Sequence, residues 1–480
     1  MRFIVEDFGP INKADITIKD FNVFIGPGGS GKSYLAYLIW MFCKMEPKWE
    51  VLHTLPTTFE FDRVVKEILE NKTISEDNSV KLIDKTMEIF ERAIKENIEN
   101  YIKDTFRVDE VGELVREGED KAFIRVCNDR GDRYFDVLIT KDCGVEVKGL
   151  SRSHKYENFL LKYIHDERKI AMYCNKTEEL YQSYLPVKDI YDYTDIGMVL
   201  SEVCILSLPY MLDEIFDGYF PAMNAYILTD SKSGFLRVAR SLLGYALSRR
   251  GEIPLSLPDL EMLKNINLGE AKIRDEEIAK IADFIEEEMK GSIVLKTGLM
   301  FPEIYFERLK DKHKVPIFRA HSGVRENAPL IMFLRYIIKK GSVVVIEEPE
   351  THFHPYMQSL ITRAIVLLSN YSKVLITTHS PIVLDELSYL IKLSRLTEEE
   401  KEELGYKKEE GISSKSVAVY RFREDGTVDA LQVDEEGISE DEFSSVIIEL
   451  SNKYADIDEF IKIKIRREEK ETYEEFNFKN

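Results

Sequence analysis

One run of eight residues constrains this chain more than any other: Gly26-Pro27-Gly28-Gly29-Ser30-Gly31-Lys32-Ser33. It satisfies GxxxxGK[ST], with the apolar run FNVFIG before it and SYLAYLIWMFCKM after it. A strand, a tight loop and a helix in that order belong to an α/β fold with a parallel sheet. Backbone N–H groups must wrap a phosphate chain here, so glycines stand where side chains would crowd the anion. Lys32 is placed to neutralise the β- and γ-phosphates of ATP, and Ser33 to give an oxygen to Mg²⁺. The helix that follows points its positive end at the phosphates. That helix is apolar almost all round, as it must be if packed between a sheet and a further layer.

Such a loop needs a carboxylate for the metal and a group to activate water. Val343-Val344-Val345-Ile346-Glu347-Glu348 supplies both at the end of a run of β-formers. Four successive apolar residues predict a central strand buried on both faces, and parallel sheets present ligands at the C-terminal ends of their strands. Glu347 is the candidate for the Mg²⁺ shell and Glu348 for polarising the attacking water. A second apolar run, KVLITTH at 373–379, brings His379 to a neighbouring strand end, where an imidazole can hydrogen-bond a γ-phosphate. The two runs flank a helix beginning near Pro355, which makes a βαβ unit.

Composition narrows the class. With 44% hydrophobic residues, 24 Gly and 15 Pro in 480, the chain can bury a sizeable core and is neither disordered nor collagen-like. Its 66 Lys and Arg against 87 Asp and Glu leave a net charge of −21, so any contact with DNA has to come from a local basic patch. Five scattered cysteines without a CxxC pair suggest buried, reduced thiols. The N-terminus has no basic region followed by an apolar one, and the most apolar stretch, Tyr34 to Cys43, is half the length needed to cross a bilayer. A cytoplasmic location and no membrane contact are expected.

The pattern along the chain divides it into six stretches. Residues 1–54 hold short strands and the phosphate loop. Residues 55–120 read as a helical insertion, because Ile83, Met87, Phe90, Ile94, Ile98 and Tyr101 recur at three- and four-residue steps. Alternation around NDRGD and KDCG predicts an antiparallel meander at 121–150, and 151–219 reads as helical. A second lobe is expected at 220–395, with strands at 225–229, 292–296, 303–309, 342–348 and 373–379. The rest, 396–480, reads as a charged C-terminal extension carrying a small hairpin.

The order GPGGSGKS, HSGVRENAP at 321–329, VVVIEEPETHFHP and ITTHSP resembles the ABC-type ATPases of the RecF, SMC and OLD kind, over nearly the whole chain as one ATPase head. The opening FGPINKADITIKDFNVFIG looks like the first strands of that head. AYILTDSKSGFLR at 225–237 resembles an element frequent in OLD-like ATPases. The resemblance implies an ABC-type P-loop head: a mixed sheet core and an antiparallel β lobe with helical insertions. It places Ser322 and Gly323 at the signature motif, which in the family meets the γ-phosphate held by the other subunit, so ATP would join two heads. Just after them the local sequence predicts a helix opening at Asn327-Ala328-Pro329. The resemblance matches Glu348 to the catalytic glutamate and His379 to the switch histidine. It makes a nucleotide-driven switch in phage defence or DNA repair the expected role, with a separately encoded effector or nuclease as a further partner. The chain departs from the pattern at Gly28, where Asn is usual, and at Glu347, where Asp is usual. No glutamine between the phosphate loop and Gln182 can serve as a Q-loop, and the long coiled coil is missing.

Glu436-Gly437-Ile438-Ser439-Glu440 looks like the opening of a Toprim nuclease, but the apolar strands such a core needs are missing around it. His352 and His354 have no cysteine or third histidine near in sequence to complete a zinc site. Lys155, Tyr156, Phe159, Lys162, Tyr163, Arg168 and Lys169 mix bases with aromatics, yet the spacing of 156, 159 and 163 favours a core helix. Lys232, Arg237, Arg240, Arg249 and Arg250 form the stretch best suited to phosphate contact with DNA, with a solvated helical face as the plainer reading.

Overall fold

The structure is a computed structural model and describes residues 1–45, 59–128, 130–131, 134–142, 144–148, 159–164, 166–167, 169–174, 178–184, 193–215, 225–232, 234, 255–268, 273–296, 303–439, 448 and 451–466. Strands β1 (Arg2–Phe8) and β2 (Ile11–Thr17) form a hairpin. Strand β3 (Phe21–Ile25) then leads through the phosphate loop into α1 (Lys32–Lys44). Next come α2 (Phe59–Asn71) and α3 (Glu76–Phe106). The meander is β4 (Lys121–Cys127), β5 (Tyr134–Thr140) and β6 (Gly144–Lys148). It continues the first hairpin into one antiparallel sheet, ordered β2-β1-β4-β5-β6.

Beyond it lie β7 (Phe159–Ile164), β8 (Lys169–Cys174) and β9 (Glu178–Tyr184), followed by α4 (Tyr193–Ile215). This corrects the expectation of helix throughout 151–219. Residues 159 and 163 lie on one strand despite their helical spacing, and Leu161, Tyr163, Ile170 and Met172 alternate into the core at period two across an antiparallel hairpin. The aromatic and basic side chains of that stretch serve the sheet: Lys162 lies over the Tyr173 ring at 4.7 Å, and Lys169 pairs with Glu167 at 2.9 Å. Lys155, Tyr156 and Arg168 lie outside the described residues.

The remaining elements build the second lobe. They are β10 (Ala225–Leu228), α5 (Leu257–Leu268), α6 (Glu276–Met289), β11 (Gly291–Lys296), β12 (Glu303–Arg308), β13 (Lys314–Pro316), α7 (Ser322–Tyr336), β14 (Val343–Glu347), α8 (Pro355–Leu368), β15 (Lys373–Thr377) and α9 (Pro381–Leu393). Strands β16 (Val417–Phe422) and β17 (Val428–Ala430) follow. The central sheet runs β10-β14-β15-β3-β16-β17, parallel except for its last pair. The hairpin near the C-terminus is therefore no appendage: β16 lies beside the phosphate-loop strand, with Val419 opposite Val23.

Both faces of this sheet are covered, and the side chains show it residue by residue. Val343 and Val345 enter one apolar cluster together with Phe24, Leu375 and the fully buried Trp40 of α1. Val344 and Ile346 enter the other with Val23, Ile376 and Phe333 of α7. A strand buried on both faces needs apolar residues at every position, which explains the unbroken VVVI. The antiparallel lobe is tied to the core by Tyr420, whose hydroxyl accepts from Thr17 N at 2.8 Å and donates to Thr17 O at 2.9 Å. Helix α3 buries Leu82, Ile83, Met87, Phe90, Ile94, Ile98 and Ile102 along one stripe, the amphipathic insertion its periodicity predicts.

Candidate functional site

The C-terminal ends of β3, β14 and β15 lie side by side, with Glu347 registered to Thr377 and Thr377 to Phe24. The phosphate loop leaves β3 at Gly26. Three of its glycines have positive φ: Gly26 (136°), Gly29 (79°) and Gly31 (100°). A Cβ at Gly26 would stand 2.3 Å from the Phe422 carbonyl oxygen, and one at Gly31 would stand 2.4 Å from Ile11. Gly28 has ordinary φ and open space around it, so this departure from the family pattern needs no glycine. Ser30 is buried and donates to Pro27 O at 2.8 Å. The Lys32 ammonium, also buried, donates to the loop's own carbonyls, Gly26 O at 2.9 Å and Pro27 O at 2.8 Å. Ser33, on the first turn of α1, is exposed.

Glu347 faces that turn. Glu347 is 2% exposed, and its carboxylate accepts from the Tyr37 hydroxyl and from Asp230 N (3.3 Å). Burial pushes its pKa up, and the Ser33 and Tyr37 hydroxyls act against the rise. Tyr37 lies one turn after Ser33 on α1, so its bond to Glu347 brings the first turn of that helix and a carboxylate from 310 residues away to one side of the sheet, hard-oxygen groups of the kind Mg²⁺ takes.

Glu348 turns the other way. Its φ is +40°, its N–H donates to Thr377 O at 3.0 Å, and Thr351 Oγ1 donates to its Oε2 at 3.0 Å. His379 Nε2 lies 3.8 Å from Glu348 Oε1, and both side chains are more than a third exposed. Buried Glu350 sets the histidine's place, accepting from Thr378 Oγ1 at 2.7 Å and from His379 N at 2.8 Å. Glu350 Oε2 has no hydrogen-bond partner.

Ser322 and Gly323 lie elsewhere, on the first turn of α7. That helix packs against α6 and the turn at 317–319, whereas α1 packs against β10, β14, β15 and α3. Its start corrects the expected opening at Asn327-Ala328-Pro329. Pro329 sits inside the helix, where it withholds a donor from the Arg325 carbonyl, and Asn327 Nδ2 binds Gly323 O at 2.8 Å. A proline read as a first-turn residue was in the second turn.

The decoys resolve plainly. Lys232, expected on a solvated basic face, is buried, and Arg237, Arg240, Arg249 and Arg250 lie outside the described residues. Glu436 sits on an exposed two-residue hairpin paired with Arg395 at 3.1 Å. His354 caps α8, and no cluster of metal-ligating side chains occurs among the described residues. Cys43, Cys127 and Cys204 are buried thiols. Among the described residues no helix is long and apolar enough to cross a membrane. A cavity of about 490 Å³ lined by Lys103, Arg107, Leu255, Leu257 and Leu260 among others shares no lining residue with the site.

Sequence reasoning missed Tyr37 and Asp230, which bond the Glu347 carboxylate, and Glu350 and Thr378, which hold the His379 segment. The PETHFHP and ITTHSP runs carried the only sequence hint for two of them.

The comparisons meet this geometry from both ends. Residues 1–196 match the family described as "AAA ATPase domain", and residues 236–385 match the one described as "AAA domain, putative AbiEii toxin, Type IV TA system". The fold is that of an ABC-type P-loop ATPase head. Parallel strands ending in the phosphate loop, the paired glutamates and the histidine, with an antiparallel lobe beside them, define it. No curated relative matches the sequence. Among solved structures, an SMC head bound to the C-winged helix domain of ScpA is 10% identical with a TM-score of 0.39, covering 90% of this chain and 98% of that one. An SMC head domain from Thermotoga maritima is 10% identical with a TM-score of 0.30, covering 80% and 90%. An SMC head with an extended coiled coil, bound to the C-terminal domain of ScpA derived from Pyrococcus furiosus, is 11% identical with a TM-score of 0.35, covering 94% and 98%. Likeness at this level decides nothing further about this chain.

Proposed function

We propose that the chain binds ATP and Mg²⁺ between the phosphate loop and the end of β14, hydrolyses the γ-phosphate, and uses the cycle to join and release two copies of itself. The observation that carries the reading is the hydrogen bond from Tyr37 of α1 to the buried Glu347 carboxylate, which holds the end of β14 against the helix that begins with Lys32 and Ser33. Bound Mg²⁺ would supply charge neutralisation for the phosphates, with Ser33 and Glu347 as its protein ligands. Lys32 exchanges its bonds to Gly26 and Pro27 carbonyls for phosphate oxygens. Glu348 takes a proton from the attacking water, and its approach to His379 lets the histidine bond the terminal phosphate oxygens.

Ser322 and Gly323, at the exposed N-terminus of α7, would complete the site of a second copy, where a helix end favours an anion. Two heads joined by two nucleotides then make a switch set by the presence of the γ-phosphate. The match of 236–385 to an AAA domain described with a toxin of a type IV TA system supports a role in phage defence over DNA repair, with a separately encoded effector as the element switched.

Replacing Glu348 with Gln tests the reading. Turnover should be lost, ATP binding kept, and an ATP-dependent dimer should appear by light scattering. An E348Q chain that hydrolyses ATP as fast as the parent contradicts it.

A further inference from the structure

Behind the glutamate turn sits a buried cation that the chemistry above does not use. Lys232 is 3% exposed, in the short turn that follows β10. Its ammonium donates to two successive backbone carbonyls, Glu347 O at 3.1 Å and Glu348 O at 3.0 Å. Those carbonyls belong to the residues where the chain leaves β14 and enters a left-handed conformation at Glu348, φ +40°. A non-glycine residue keeps such a φ only where its surroundings over-determine it. From the β15 side Glu348 N donates to Thr377 O and Oγ1, and within the turn Thr351 N donates to Glu348 O at 3.1 Å. Lys232 closes the turn from the β10 side, and Asp230 N holds the Glu347 carboxylate from the same segment.

We infer that Lys232 is a positioning residue for ATP hydrolysis: by gathering the Glu347 and Glu348 carbonyls it fixes the peptide that aims one carboxylate at the metal and the other at the attacking water. The charge arrangement agrees. Burial draws the Lys232 pKa down, and Glu350, Glu326, Asp230 and Glu348 draw it back up. A buried ammonium is costly unless it is hydrogen-bonded and its charge offset, and here its bonds go to two carbonyls of the glutamate turn.

This inference rests on hydrolysis at Glu348, so its test has an arm that does not need turnover. Lys232→Met keeps the length of the side chain and removes the donors. Steady-state kinetics of the full chain should show a kcat lower by about 10²-fold, the penalty of a misplaced catalytic group, with KM for MgATP changed by no more than about threefold. Hydrogen exchange in the nucleotide-free chain should be markedly faster over 347–351 and unaltered over the rest of β14. Unchanged kcat, or unchanged exchange over 347–351, overturns the inference. Exchange raised throughout β14 and β15 with a lowered melting temperature assigns Lys232 to general stability and overturns it as well. If the parent itself turns over no ATP, the proposed function fails, and the exchange comparison still decides whether Lys232 holds the turn.

Discussion

The two loops that meet at the nucleotide site reach unusual backbone conformations by opposite means. In the phosphate loop, positive φ falls on Gly26, Gly29 and Gly31, which adopt it without steric cost. In the glutamate turn, positive φ falls on Glu348 (+40°) and His352 (+66°), where each costs about 1–2 kcal/mol and must be held by contacts from elsewhere. The first loop carries its geometry in its own residues. The second borrows it from Lys232 and Thr377, so its shape depends on the tertiary fold.

The difference yields a ranked set of outcomes. The largest is expected at Glu348→Gln, where phosphate release should fall by about 10² to 10⁴-fold with nucleotide affinity kept, because only the proton acceptor is lost. Next is Gly26→Ala, which sets a Cβ against the Phe422 carbonyl at a φ of 136°. It should abolish ATP binding by filter assay and lower the melting temperature by several degrees. Gly28→Ala, in open space at ordinary φ, should change neither. If G26A and G28A behave alike, the glycine account of this loop is wrong.

The smallest effect separates stability from function. Burial raises the Glu347 pKa, so the ionised carboxylate costs the folded chain stability at neutral pH, and that cost fades as pH falls through the raised value. Glu347→Gln should therefore melt at the same temperature as the parent or slightly above it near pH 7 in the absence of nucleotide. The margin should shrink on acidification, while the Mg²⁺-dependent gain in ATP affinity disappears. A clear fall in melting temperature for E347Q would show that Glu347 is chiefly structural.

The same contrast explains what could be read from the residues alone. A glycine pattern and an unbroken VVVI are local, so the phosphate loop, the β14-α8-β15 unit and the carboxylates at their strand end were all legible. Features set by distant partners were not. Strand β16 pairs with β3 across nearly 400 residues, and its hairpin looks the same in sequence whether it joins the core or hangs from it. Strand β7 carries Phe159 and Tyr163 at a helical spacing by chance, and only the charged turn before β8 marks the hairpin. Lys232 stands in a basic stretch and reads as a surface residue, since nothing beside it announces that two carbonyls more than 110 positions away will bury it. The start of α7 at Ser322 was obscured by Pro329, which helices accept more readily in the first turn than in the second.

The account stands or falls on whether Ser33 and Glu347 hold one ion. A crystal structure of the E348Q chain with Mg²⁺ and ATP tests this most directly. It should show Ser33 Oγ and a Glu347 oxygen on the same Mg²⁺ at about 2.0–2.1 Å, with Lys32 withdrawn from the Gly26 and Pro27 carbonyls onto the phosphates. A nucleotide bound away from this loop, or a Glu347 still bonded to Tyr37 and remote from the metal, would contradict it.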